Sequence, residues 1–282
     1  MTRLSHAGLP PIASRRRGAG LTTDRPCLHS RRDVPEGDSL HRAAARLRPL
    51  VGERVEASSP NPRGQVTNVA RAIDGRVLEA VDAVGKNLLL RFEDDVTVRS
   101  HLRMTGRWHV RRTDERPWRG QPWLVLRTPR WEATQWNGPV LQLDTGVARR
   151  LGPDLLADET DVADVVARVR RADPARVVGD VLVDQRVVAG IGNMWLAELL
   201  WQARISPWLP LAEATEAELA DALGWGRDAM RAAVAGDRLE RAVYRRAGRG
   251  CRRCGAIVRS RGLGDGNRTA YWCDGCQRGP AV

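Results

Sequence analysis

The stretch CRRCGAIVRSRGLGDGNRTAYWCDGC (251–276) decides how the end of this chain folds: Cys251-x2-Cys254 and Cys273-x2-Cys276 form two knuckles separated by 18 residues. Four thiols at that spacing, in a segment too small to build its own core, match a four-cysteine zinc site. Four thiolates leave no open coordination position, so the expected Zn2+ is structural and single. Between the knuckles a Gly-rich turn joins two expected strands. The predicted object is a metal-clamped hairpin with Arg259, Arg261 and Arg268 along it, placed to meet phosphates.

Outward from that module, charge supports the same partner. The chain has 282 residues, with 46 Lys+Arg against 34 Asp+Glu. Residues 241–282 hold ten Arg and two Asp, and residues 1–33 hold seven Arg and two Asp, whereas 34–240 sums to about −1. A basic C-terminal module beside a nearly neutral body suits nucleic acid. No apolar run approaches the roughly 18 residues that span a bilayer. Residues 1–33 are basic but lack the apolar core of a secretory signal, so the expected location is cytoplasmic and nucleoid-associated. The same segment shows no periodicity and is expected to be disordered or untranslated. Cys27 within it has no expected role.

From Pro35 the pattern sharpens. Leu40, Ala43, Ala44, Leu47 and Leu50 recur at helical spacing, predicting an amphipathic helix over 36–50. The period then shortens, and 76–84, 86–92, 96–104, 108–112, 122–128 and 140–144 read as short strands. Beyond LGPDLL (151–156) helices are expected at 161–171, 176–188, 193–203 and 215–235, the last opened by a Thr215–Glu218 capping box. The fold class is α+β and multidomain, with four segments. A leader covers 1–34, a β-sandwich with a long N-terminal helix covers 35–150, a helical domain covers 151–240, and the zinc hairpin covers 241–278.

Three further features carry chemistry. Gly190-Ile191-Gly192-Asn193 separates two expected helices. Glycines there let backbone N–H groups approach a phosphate, and Asn193 either caps the second helix or donates to that phosphate. On its own the segment reads more readily as a plain turn, since most Gly-rich turns between helices are only turns. Lys86 is the only lysine in the chain. A compact ammonium with an accessible pKa can move a proton or hold a phosphate in a confined site, which guanidinium does poorly; a chance lysine at a strand start is the alternative. Val34-Pro35-Glu36-Gly37-Asp38 is an ordinary helix start by composition. If the chain began at Pro35, its secondary amine would be a nucleophile toward a sugar aldehyde carbon.

In this order, PEGDSLHRAAARLRPLVG, VGKNLLLRF, LVDQRVVAGIGNMWLAELLWQARISP and CRRCG…NRTAYWCDGCQR resemble the formamidopyrimidine-DNA glycosylase and endonuclease VIII family, from Pro35 to about Arg278. The resemblance implies a helix–two-turns–helix motif in the helical domain. It also implies an enzyme that excises oxidised bases and then cleaves the abasic site through a proline Schiff base, with β- then δ-elimination. In it Pro35 attacks C1′, Glu36 handles protons, and Lys86, Arg268 and Asn193 hold the backbone of damaged DNA. Met104, with Arg103 beside it, fills the void left by the extruded base. Without the resemblance a buried core methionine explains Met104 as well. The protein is expected to be a monomer.

Two departures follow. The leader blocks Pro35 if translated; Val34 stands where an alternative start codon could lie, so the working chain is expected to begin at Pro35. A permanently blocked nucleophile would leave a non-catalytic binder of damaged DNA. Second, AVAGDRLERAVYRRAGRGC (233–251) is short, lacking the longer loop that covers an oxidised guanine in formamidopyrimidine glycosylases. That favours oxidised pyrimidines and an endonuclease VIII-like enzyme. WNGPVLQLDTGVARR (136–150) is the candidate second void-filling loop. His41 and His101 show no partner in the sequence.

Overall fold

The computed structural model describes residues 35–144, 146–264, 266 and 268–280. The expected leader, with Val34 and Cys27, lies outside the described residues.

The amphipathic pattern after Pro35 forms helix α1 (Gly37–Leu47) and a closing 3-10 turn to Leu50. Leu40, Ala43, Ala44, Leu47 and Leu50 are buried, as their spacing requires. Next come β1 (Glu56–Ser58), the short α2 (Pro62–Gln65) and α3 (Val69–Ile73), and then seven strands: β2 (Leu78–Val84), β3 (Asn87–Phe92), β4 (Val96–His101), β5 (Arg107–Arg112), β6 (Leu124–Arg127), β7 (Trp131–Trp136) and β8 (Val140–Leu143). They make two antiparallel four-stranded sheets, ordered β1-β6-β7-β5 and β2-β3-β4-β8. Leu88, Leu90, Phe92 and Val98 of one sheet and Trp108, Leu124, Leu126 and Ala133 of the other share a core with α1. This is the expected sandwich.

Two strands were not legible. β1 is three residues long, and β7 (WEATQW) buries polar residues on both faces, which erases the alternation that betrays a strand. Glu132 of β7 is tolerated because it accepts from Arg111 and Arg127. β7 lies between β5 and β6 and holds that sheet together.

The helical part contains α4 (Val162–Arg170), α5 (Val178–Val183), α6 (Asn193–Gln202) and α7 (Glu216–Ala235) around a second apolar core. The helix expected over 176–188 stops at Val183. Asp184 ends it by accepting the N–H of Arg186 on its side chain and those of Val187 and Val188 on its carbonyl, a local turn that competes with the helix. The capping box on α7 is present in both directions, and Gly236 closes the helix in the left-handed region. The C-terminal hairpin pairs β9 (Val258–Leu263) with β10 (Arg268–Cys273). Leu263 and Ala270 reach the helical core, so the hairpin is anchored by packing as well as by its cysteines.

Candidate active site

The geometry begins at Glu36. Its carboxylate accepts the N–H groups of Met194 (2.8 Å, Oε1) and Trp195 (3.2 Å, Oε2) at the start of α6. A helix N-terminus offers unpaired N–H groups and positive potential, so a buried carboxylate is favoured there. Gly192 makes this possible: a Cβ on it would stand 2.2 Å from the Glu36 carboxyl carbon. Gly190 turns at φ +101 and its carbonyl accepts the Gly37 N–H, while a Cβ on Gly37 would meet Gly190 Cα at 2.8 Å. The glycines therefore seat the N-terminal helix against α6, and they do not line the cavity described below. The N–H groups of Met194 and Trp195 at this helix end are taken by Glu36. Asn193 is the first residue of α6, one past the N-cap position held by Gly192, which removes the capping alternative for its side chain.

Lys86 sits beside this carboxylate. It lies in the two-residue turn between β2 and β3, not in the strand where it was expected, behind Gly85 at φ +61. Glycine first is what a tight turn of this hand demands. The turn is fixed from outside by Asp154, whose Oδ2 accepts the Gly85 N–H (2.7 Å) and pairs with His41 Nε2 (3.0 Å), and whose Oδ1 accepts the Leu156 N–H (2.8 Å). His41 thus has a structural partner that the sequence did not show. Burial pushes the Lys86 amine down to about 8, against the pull of Glu36 and with a further push from Arg268. Burial likewise raises Glu36 above the usual carboxylate range, opposed by Lys86 and by the two N–H donors.

Pro35, Glu36 and Lys86 line one cavity of about 430 Å3 with Arg103, Met104, Asn193 and Arg268. Arg268 is braced by the Val183 carbonyl at 3.0 Å. Met104 is 61% exposed, which excludes a core methionine, and it follows Arg103 at φ +51. Arg259 and Arg261 do not join them. Arg259 pairs with Asp274, and Arg261 lies over the Trp208 ring at 5.6 Å. None of the described residues of 136–150 lines this cavity either.

Five lining residues escaped the sequence reading: His101, Tyr244, Arg245, Thr269 and Tyr271. His101 accepts the Arg103 N–H on Nδ1 at 3.0 Å. Burial and the charges of Arg103, Arg99 and Lys86 push it down to about 4, so at neutral pH it is uncharged with its proton on Nε2. Its only sequence signal was position, three residues before Met104. A larger cavity, about 740 Å3, is lined by Asp154, Asp158, Glu159, Asp161 and Asp164 among others and holds none of the candidate chemistry.

The sulfurs of Cys251, Cys254, Cys273 and Cys276 all lie within 4.8 Å of one another. Tetrahedral zinc with Zn–S near 2.3 Å spaces its sulfurs about 3.8 Å apart, so the four fit such an ion. Trp201 Nε1 donates to Cys251 Sγ at 3.3 Å and the Arg253 N–H at 3.5 Å, the outer donors that a thiolate cluster uses.

Two family models cover most of these elements: the formamidopyrimidine-DNA glycosylase N-terminal domain matches residues 34–139, and the formamidopyrimidine-DNA glycosylase H2TH domain matches residues 151–242. The chain therefore belongs to the formamidopyrimidine-DNA glycosylase family of DNA-repair glycosylases and lyases. It is 38% identical to a probable endonuclease 8 2 of Streptomyces coelicolor over 88% of this chain and 95% of that one. It is 32% identical to the DNA-(apurinic or apyrimidinic site) lyase Nei2 of Mycolicibacterium smegmatis over 86% of this chain and 99% of that one. The fold matches Lactococcus lactis formamidopyrimidine-DNA glycosylase bound to abasic-site DNA with a TM-score of 0.72 at 21% identity, over 86% of this chain and 100% of that one. Among the described residues no helix is long and apolar enough to cross a membrane.

Proposed function

We propose that this protein binds damaged DNA, removes oxidised pyrimidines and cleaves the resulting abasic site, with the amine of Pro35 as nucleophile. The observation that carries this is the convergence of Pro35, Glu36, Lys86 and Arg268 on one cavity. The working division is catalytic over 35–150, DNA-clamping over 151–240 and phosphate-gripping over 241–278. A monomer suffices, since one chain supplies every group. The action takes place on nucleoid DNA in the cytoplasm.

Pro35 nitrogen attacks C1′ of the extruded nucleotide, the glycosidic bond breaks, and the base leaves with a proton. The sugar ring then opens as the C1′–O4′ bond breaks and O4′ takes a proton, leaving an iminium between Pro35 nitrogen and C1′. This withdraws electrons, so loss of a C2′ proton expels the 3′ phosphate, and a second elimination expels the 5′ phosphate. Glu36, buried and raised in pKa, takes and returns protons at the sugar. Lys86, Asn193 and Arg268 hold the flanking phosphates, and His101 donates from Nε2 to the same backbone. Exposed Met104 with Arg103 enters the gap in the duplex. The four cysteines hold one zinc ion with no open position, so the metal shapes the hairpin and takes no chemical step.

The nucleophile requires a free Pro35 nitrogen, so the active form begins there, with initiator removal after a start at Val34. In support, relatives matched over 99–100% of their own length account for 86–87% of this chain. The family model opens at residue 34. Absence of the longer loop from 233–251 supports a pyrimidine rather than an oxidised guanine.

Intact mass of the native protein, with borohydride trapping on duplexes bearing an abasic site, thymine glycol or oxidised guanine, tests this reading. The expected result is an adduct on an N-terminal Pro35 and faster excision of thymine glycol. A native protein retaining residues 1–34 that binds abasic DNA without forming an adduct overturns it in favour of a non-catalytic damage binder.

A further inference from the structure

Tyr244 and Arg245 form a wall of the cavity that the reaction above leaves without a task. They follow a rigid segment. Buried Glu198 of α6 accepts the N–H groups of Ala242 (2.8 Å), Val243 (3.1 Å) and Tyr244 (2.8 Å). The Arg246 N–H closes a turn on the Val243 carbonyl at 3.0 Å. Between them Arg245 takes φ +55, a left-handed conformation that is uncommon for a residue with a side chain. The strain is held by a loop with three fixed N–H groups, which is the setting in which strain accompanies function.

The side chain is then supported on one side only. Tyr244 is 6% exposed and meets Tyr271 edge to face, ring centroids 5.3 Å apart. The Arg245 guanidinium lies over the Tyr244 ring at 5.4 Å and is exposed to the cavity. Among the described residues it makes no hydrogen bond or ion pair. A guanidinium laid on an aromatic plate is oriented, keeps its N–H donors free, and has no acceptor to offer.

The groups suited to phosphates are elsewhere: Lys86 in its turn, Asn193 at the start of α6, and Arg268 on the hairpin. The Tyr244 ring, buried and with Arg241 (5.2 Å) as well as Arg245 (5.4 Å) over it, is a brace, and an oriented donor in the cavity that holds Pro35 and Glu36 is what reads the edge of an extruded base. We propose that Arg245, braced on Tyr244, reads the extruded base and selects bases that present carbonyl oxygens over those that present an amino group at the same position. This rests on the glycosylase and lyase reading and names the substrate class within it: pyrimidines of the uracil and thymine type over those of the cytosine type. An amino group facing Arg245 sets donor against donor and leaves the guanidinium unpaired.

The test uses the native protein in single-turnover excision of 5-hydroxyuracil and 5-hydroxycytosine in one sequence context, with cleavage of a preformed abasic site alongside. The expected preference for 5-hydroxyuracil is about tenfold or more, the discrimination one charged hydrogen bond provides. Arg245→Gly adopts the positive φ without strain, so the loop persists; the preference should fall to near unity, and excision should drop at least tenfold more than abasic-site cleavage. Arg245→Asn, also tolerated at positive φ, should behave alike. Equal slowing of excision and abasic cleavage makes Arg245 a phosphate contact and overturns the proposal, as does a preference that survives both variants. A native protein that cleaves no abasic site fails at the earlier step, overturning the underlying reading and this one with it.

Discussion

Lys86 shows how a single residue acquires its chemistry. As the only lysine in the chain it is conspicuous in the sequence, but its working pKa comes from burial, which pushes it down to about 8 against the attraction of Glu36. Its ammonium is intact below that value and lost above it. A phosphate grip that depends on this charge weakens as pH rises through about 8, with affinity for abasic DNA falling between pH 7 and 9. Guanidinium does not titrate in this range. Lys86→Arg should therefore remove the alkaline limb of a trapping-versus-pH profile while lowering the maximal rate, since the longer planar group misfits the turn. A limb near 8 that survives in Lys86→Arg assigns it to another group. The glycines at 190 and 192 were legible as special, but the sequence did not show that Gly192 leaves room for Glu36, a residue distant in the chain.

Among the elements, those with local signals were read well. Helix α7 announced its start through Thr215 and Glu218, and the structure contains both capping bonds. Thr215→Ala removes a partner of the Glu218 N–H and should cost about 1 kcal/mol. In a chain of this size that lowers the melting temperature by roughly 2–4 °C. Thr215 lies outside the cavity, so trapping of abasic DNA should keep its rate; a loss of activity without a change in melting would contradict this account. Strand β7 was missed for the opposite reason. Its buried Glu132, Thr134 and Gln135 look like surface residues in sequence, and the Arg111 and Arg127 partners that make Glu132 tolerable come from other strands. Helix α5 was predicted too long because apolar spacing continues past Asp184, where a side-chain hydrogen bond ends the helix.

At the scale of the whole molecule, the hairpin carries Arg268, Thr269 and Tyr271 to a cavity whose floor is Pro35 and Glu36. Its position depends on the cysteine cluster and on Gln277, which accepts the Cys273 N–H and donates to the Ile205 carbonyl. A metal that folds its ligands contributes stability directly. One zinc per chain should be measurable by elemental analysis, and Cys254→Ser or chelation should abolish both lesion binding and trapping. The sandwich and helical cores draw on separate residues and should keep most of their secondary structure by circular dichroism. Retention of trapping in a metal-free protein would show that packing alone positions Arg268.

The sequence by itself determined the metal knuckles, the helix starts, the sandwich and the family, because each rests on residues within a few positions of one another or on ordered motifs. Only the tertiary structure decided what the cavity contains. It brought His101, Tyr244 and Arg245 to the site, left Arg259 and Arg261 outside it, and gave the α6 N-terminus to Glu36. The physical reason is range. Periodicity and capping act along the chain, whereas the Glu36–Met194 bond joins residues 158 apart, and nothing local in either segment records the other.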